Sequence, residues 1–202
     1  EDILKILIET ADLGTVSERE LIDLLIFFFI AGYDTSKNVL TYTMWTLLDE
    51  PEIYERCAHD LDYCRKVVDE ALRYFNPGSI ARFAAQDITY RDVVIPKDSM
   101  IFFALNTAGR DIDAFSDPDR FNPDRELGPD QRHVAFGLGK HICLGQHIAR
   151  AQLQEAIHQI AQRIRNPRLT GDVAWRPFPG TWGMRGLPIE FDPQDTPQEK
   201  GN

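Results

Sequence analysis

Ten residues, Phe136-Gly137-Leu138-Gly139-Lys140-His141-Ile142-Cys143-Leu144-Gly145, constrain this chain more than any other stretch. The glycines among them let the backbone turn tightly and approach a flat partner closely. Directly behind, Leu144 to Ile164 carries apolar residues at helical spacing and reads as an amphipathic helix. A cysteine just before a helix lies near the positive end of the helix dipole, which favours thiolate over thiol. An isolated cysteine is more often a buried structural thiol. The spacing Phe-x-x-Gly-x-x-x-Cys-x-Gly weighs the other way, because average residue usage seldom produces four such positions together.

The 202 residues suffice for one domain with a sizeable core. With 32 acidic and 22 basic residues the formal charge is -10, which argues against general nucleic-acid binding and leaves room for a local basic patch. Three cysteines, an odd number without framework spacing, point to a reducing compartment. The longest apolar run, Leu24 to Ala31, is far too short to span a bilayer. The chain opens mid-pattern at Glu1, with neither a methionine nor a signal peptide, and a cytoplasmic protein is the simplest expectation.

Glu1 to Leu13 has helical spacing and stops at Gly14. Ser17-Glu18-Arg19-Glu20 is a capping box that opens a long helix over residues 18–48. From Leu21 to Ile30 this helix is apolar nearly all round, so it is expected to be central and buried. In its middle lies Ala31-Gly32-Tyr33-Asp34-Thr35-Ser36, an odd choice for a buried helix, since glycine, acid and hydroxyl residues each weaken it. One reading is a polar turn satisfied by its own backbone. The other is a widened turn holding water, with Asp34 and Thr35 as a proton-delivery pair. Pro51 starts a shorter helix, and another spans 61–75 with Glu70 and Arg73 at i, i+3 on one face, a spacing that by itself reads as a surface salt bridge. Cys57, His59 and Cys64 lack zinc spacing and a fourth partner. Strand patterns follow over 80–85, 88–90, 93–95 and 100–105, with turns at Arg91-Asp92 and Pro96-Lys97-Asp98. Residues 116–135 read as a long ordered loop rich in Pro, Asp and Arg. Asn166-Pro167 breaks the chain into short strands, Pro179 to Gly183 looks like a hairpin tip, and residues 192–202 form a polar tail expected to be disordered. Arg132, Lys140 and Arg150 flank the cysteine loop and read either as a basic docking patch for an acidic partner or as an ordinary solvated face.

The cysteine loop resembles the haem-binding signature of the cytochrome P450 family at each defined position, and Ala31-Gly-x-Asp-Thr35 is similar to that family's oxygen-activation motif. His141 before the cysteine and His147-Ile148-Ala149-Arg150 after it look like the soluble bacterial branch. The resemblance implies a mainly α fold with small β-sheets (α+β), of which this chain would be the C-terminal, haem-binding half. It implies haem b as cofactor, with Cys143 as the axial iron ligand, His141 and Arg82 against the two propionates, and Phe136, Gly137, Gly145 and Ala31 beside the ring. Asp34 and Thr35 would serve oxygen activation. Glu70, Arg73 and Arg120, the last from the long loop, would form a buried structural ion network. Gly78, Ser79, Ile80, Phe28, Gly32, Thr181 and Trp182 would line the substrate side. The implied activity is O2-dependent monooxygenation of an apolar small molecule, with electrons from a ferredoxin or similar redox partner. A peroxide-driven haem-thiolate enzyme and a haem-binding fragment without turnover are the alternatives. Asp34 and Thr35 argue against the first, because peroxide already carries its protons. No membrane span and no nucleic-acid partner are expected.

Overall fold

The computed structural model describes residues 2–128, 131–176 and 182–192. Asp2 caps α1 (Ile3–Asp12), accepting the Lys5 N–H, and Gly14 ends this first unit in a left-handed turn at φ 73°. Ser17 and Glu20 form a reciprocal capping box at the start of α2 (Glu18–Leu47). Helices α3 (Pro51–His59) and α4 (Leu61–Tyr74) meet at Asp60, whose carboxylate accepts the Tyr63 N–H at 2.9 Å. Four strands follow as two antiparallel pairs: β1 (Ile80–Phe83) with β4 (Met100–Phe103), and β2 (Ile88–Tyr90) with β3 (Val93–Ile95). A single helical turn, α5 (Leu105–Ala108), precedes the long loop. Helix α6 (Gln146–Arg163) leads into β5 (Arg165–Leu169), which pairs with β6 (Ile189–Asp192) across a bulge between Arg165 and Arg168. Asn166 and Pro167 therefore lie inside a strand, at the bulge that accommodates a proline.

The core lies between the second half of α2 and helices α3, α4 and α6. On α4, Cys64, Val67, Val68, Ala71 and Leu72 are buried at successive helical spacings; on α6, Leu153, Ile157 and Ala161 are buried every four residues. Full burial of each large aliphatic side chain contributes about 1.5–3 kcal/mol. Two helix ends are tied by reciprocal side-chain caps. His158 and Gln162 of α6 donate to the Cys57 and Ala58 carbonyls at the end of α3, while Tyr54 of α3 donates to the Ile164 carbonyl just past α6 at 2.7 Å. Because a carbonyl only accepts, His158 carries its proton on Nδ1, and its Nε2 accepts from Gln162 at 2.9 Å. Burial pushes the Tyr54 hydroxyl up to about 12.

The expected burial of Leu21 to Ile30 is corrected. Ile26, Phe27, Phe29 and Ile30 are all more than half exposed, and α2 buries its residues only from Asn38 onward. A helix apolar all round needs partners on every side. Among the described residues α1 packs against α2 but itself buries nothing. Asp192 belongs to β6, and the rest of the expected tail lies outside the described residues. No helix is long and apolar enough to cross a membrane among the described residues.

Candidate functional site

The cysteine loop is built on two left-handed glycines, Gly137 at φ 71° and Gly139 at φ 72°, a conformation that other residues adopt at a strain. The Gly137 N–H donates to the Val134 carbonyl and the Cys143 N–H to the Phe136 carbonyl, both at 2.9 Å, so residues 136–143 close on themselves. One turn of 3-10 helix, Gly139–His141, fills the loop, and Gly145 hands the chain to α6. The Cys143 thiol is free and exposed. His141, Ile142 and Leu144 around it are exposed as well. A Cβ on Gly137 would sit 3.4 Å from Ile80 Cδ1, so β1 rests against the loop at that glycine. Arg82, two residues along β1, is exposed, and its guanidinium donates to the neighbouring Ala81 carbonyl.

Behind the loop, Glu70 and Arg73 are buried and joined by two parallel bonds of 2.7 Å. Arg73 spends its remaining donors on the Gly109, Pro118 and Arg120 carbonyls, and Glu70 also accepts the Asn122 N–H at 2.8 Å. The expected third partner is corrected from Arg120 to Arg125. Arg120 supplies only its carbonyl and turns its side chain to solvent, whereas the Arg125 guanidinium is buried, 3.4 Å from Glu70. The loop trace decides this: Arg125 donates to the carbonyls of Ser116, Asp117 and Arg120, curling 116–125 around itself. Gly109 makes the approach possible, since a Cβ there would lie 1.9 Å from the Arg73 carbonyl oxygen.

In α2 the expected widened turn is absent, because the helix runs unbroken from Glu18 to Leu47. The Thr35 hydroxyl donates to the Ala31 carbonyl at 2.7 Å, the back-bonding a helix offers a lone hydroxyl. Ala31, Gly32 and Thr35 are exposed, and nothing lies within 4 Å of where a Gly32 Cβ would be. Asp34 pairs with Lys37 at 2.5 Å and with Arg176 at 3.4 Å. The Lys37 ammonium bonded to it, helped by Arg176, holds its carboxyl below the usual carboxylate range. Nothing in the sequence marks Arg176 as a site residue. It comes from a short antiparallel pairing centred on Trp175 and Met184, which also ties Trp182 N–H to the Pro77 carbonyl at 3.2 Å. The Trp182 ring lies 5.9 Å from that of Trp175 at a tilt of 42°, and Thr181 lies outside the described residues.

Arg150 is also corrected. Its guanidinium turns inward, 3.0 Å from Asp69 and 4.5 Å above the Phe136 ring, so it is not part of an outward basic patch; Arg132 and Lys140 remain exposed. Cys57 and Cys64 are buried while His59 pairs with Glu55 on the surface, and no cluster of three metal-ligating side chains exists among the described residues.

Residues 1–166 match the family described as Cytochrome P450. The chain belongs to the cytochrome P450 family. It is 33% identical over 195 residues to cytochrome P450 107B1 of Saccharopolyspora erythraea, covering 94% of this chain and 47% of that protein. The P450 monooxygenase TamI, solved with tirandamycin C bound, superposes at a TM-score of 0.86 with 30% identity, covering 95% of this chain and 49% of TamI. P450BioI, solved with an acyl carrier protein ligated to hexadec-9Z-enoic acid, gives a TM-score of 0.80 at 32% identity over 88% of this chain and 46% of its own. The chain thus has the P450 fold and spans about half the length of the curated relatives it matches.

The family implies haem, and the donor set fits it. A bare metal ion needs several ligands from the protein. Here a single exposed thiol stands without a metal-ligand cluster around it among the described residues, which would suit haem, a cofactor that brings ligands of its own and would take the Cys143 sulfur as the protein's.

Proposed function

We propose that this chain carries the haem-thiolate centre of a monooxygenase that places one atom of O2 into an apolar small molecule. The observation that carries the reading is the exposed, unpaired Cys143 thiol, presented by a loop closed on Phe136 at the head of α6. Cys143 Sγ would bind the iron, His141 and Arg82 would face the propionates of haem b, and Phe136, Gly137, Gly145 and Ala31 would border the ring. When bound, haem supplies the oxygen-activating redox chemistry, which thiolate ligation directs toward O–O cleavage.

The chain's own residues then handle protons, water and substrate. Asp34 and Thr35 would serve as a proton-delivery pair, with the Asp34 carboxylate linked toward solvent through its Lys37 and Arg176 partners. Thr35 Oγ1 donates its proton to the Ala31 carbonyl and so keeps its lone pairs free to accept. Ile80 and Phe28 would keep water from an apolar substrate. Exposed Arg132 and Lys140 would meet an acidic ferredoxin-like electron donor. The P450BioI complex makes a carrier-tethered acyl chain a substrate form to test beside free small molecules.

The test is the absorption spectrum of the dithionite-reduced, carbon-monoxide-bound protein for wild type and Cys143→His. A strongly red-shifted Soret band, lost in the variant, is expected. The same unshifted band in both proteins would sink the assignment of Cys143.

A further inference from the structure

Phe136 is held from behind by three charged or titratable side chains that belong neither to the haem contacts nor to the proton-delivery pair. Arg150 of α6 stacks its guanidinium 4.5 Å from the centroid of the Phe136 ring and donates through Nε to Asp69 Oδ1 at 3.0 Å. Asp69 stands on α4 beside Glu70 but leaves the helix on another face. His133, three residues before Phe136, lies with its ring centroid 6.0 Å from that of Phe136 and its Nε2 3.6 Å from the same Asp69 oxygen. The Ala135 N–H meets His133 Nδ1 at 3.3 Å, and Arg150 Nη2 meets His133 Nε2 at 3.4 Å. Arg150 thus directs N–H groups both at Asp69 and at His133, joining the three side chains. Burial alone would push the Asp69 carboxyl up, but its contacts with His133 and Arg150 outweigh it and hold the group below the usual range.

One main-chain bond links this cluster to the cysteine. Phe136 offers its ring to Arg150 and its carbonyl to the Cys143 N–H at 2.9 Å. The ring and the carbonyl belong to one residue, so fixing one fixes the other. We propose that Asp69, Arg150 and His133 are positioning residues for the thiolate ligand, clamping Phe136 between α4 and α6 so that its carbonyl holds the Cys143 amide and with it the side chain's direction. Glu70 and Arg73 brace the long loop, whereas this second cluster braces the cysteine itself. The clamp's effect on the iron rests on Cys143 being the axial ligand; its hold on the Cys143 amide does not.

The experiment compares Asp69→Asn, Arg150→Lys, Arg150→Ala and the control Asp124→Asn in the haem-loaded protein. Asp124 carries an exposed pair of salt bridges, to Arg56 and Lys66, and touches nothing in the cysteine loop. Two quantities are read beside global stability: hydrogen-exchange protection of the Cys143 amide, and the rate at which the red-shifted carbon-monoxide band decays to the unshifted position. Asp69→Asn and Arg150→Ala should each lower protection and speed the decay about tenfold, the factor that corresponds to losing one charge-assisted hydrogen bond. Arg150→Lys, which keeps the charge and loses the planar stack, should fall between them and wild type. Asp124→Asn should match wild type in both. If Arg150→Ala does not fold, Asp69→Asn and Arg150→Lys still decide. Unchanged Cys143 protection in these two variants would overturn the proposal, as would a loss no larger than their loss of global stability. A wild-type protein without the red-shifted band would remove Cys143 as ligand, and the exchange data would still judge the clamp.

Discussion

Arg73→Lys is the substitution whose effect the structure fixes most closely. Arg73 has five N–H donors, and all five are used: two on Glu70, and one each on the Gly109, Pro118 and Arg120 carbonyls. The side chain is only 2% exposed, so water cannot replace a partner that is withdrawn. Lysine keeps the charge and therefore avoids leaving Glu70 as an unpaired buried carboxylate. It brings only three donors, however, on a single nitrogen that cannot reproduce the planar fork. At least two of the five charge-assisted bonds are then lost, at about 1.5–3 kcal/mol each, for a total of about 3–6 kcal/mol. A domain has about 5–15 kcal/mol in all, so the variant should unfold at markedly lower urea and lose haem early. Urea titration followed by tryptophan fluorescence, with haem release read in parallel, measures both. A midpoint within error of wild type would refute the argument, because it would mean that the carbonyls either find water or were never well bonded to Arg73.

Other substitutions test other parts of the structure. Gly183→Ala should destabilise the protein, because its Cβ would fall 2.4 Å from Oδ1 of the buried Asn38 and force that side chain to shift; thermal denaturation reads the loss. Asp69 makes a pH-dependent contribution. Its folded carboxyl binds a proton less readily than the unfolded one, so its stabilisation is complete above the unfolded value of about 3.9 and is lost as pH falls through the lower folded value. The stability gap between wild type and Asp69→Asn, measured in urea, should therefore close as pH drops below about 4. Thr35→Ala should retain haem and substrate but release peroxide in place of product, which an oxygen-to-product ratio would show; full coupling would remove Thr35 from proton delivery.

Much of the architecture is legible in the sequence because local chemistry determines it. The Ser17-Glu20 capping box, the Pro51 start, the strands at 88–90 and 93–95 and the cysteine loop all announce themselves through residues whose backbone preferences admit few alternatives. Side-chain direction is not legible in the same way. Arg120 and Arg125 are both arginines in one polar loop, and only the path of 116–125 says which guanidinium turns toward Glu70. Arg150 sits among basic residues flanking the cysteine, and nothing in its spacing reveals that Asp69, 81 positions earlier, draws it inward. The polar turn at Asp34 suggests a distorted helix, yet Thr35 satisfies its own hydroxyl and Asp34 finds its cations, so the α-helical ladder survives. The apolar run at 21–30 reads from composition as core, but burial also needs partners, which the described residues provide only farther along the helix.

The reciprocal caps at the ends of α3 and α6 have a mechanical consequence. A helix end ordinarily frays alone, its last carbonyls trading partners with water. Here the carbonyls of Cys57 and Ala58 depend on side chains of α6, and the carbonyl of Ile164 depends on a side chain of α3. Neither end can open by itself, so the two behave as one latch. Helix α6 has the cysteine loop at its head and this latch at its tail. Sliding it along its axis by even one residue, about 1.5 Å, would break the latch before it could shift the thiol. The distance from latch to sulfur acts as a fixed length, and the thiol's height above its neighbours is set at the far end of the helix by a tyrosine, a histidine and a glutamine.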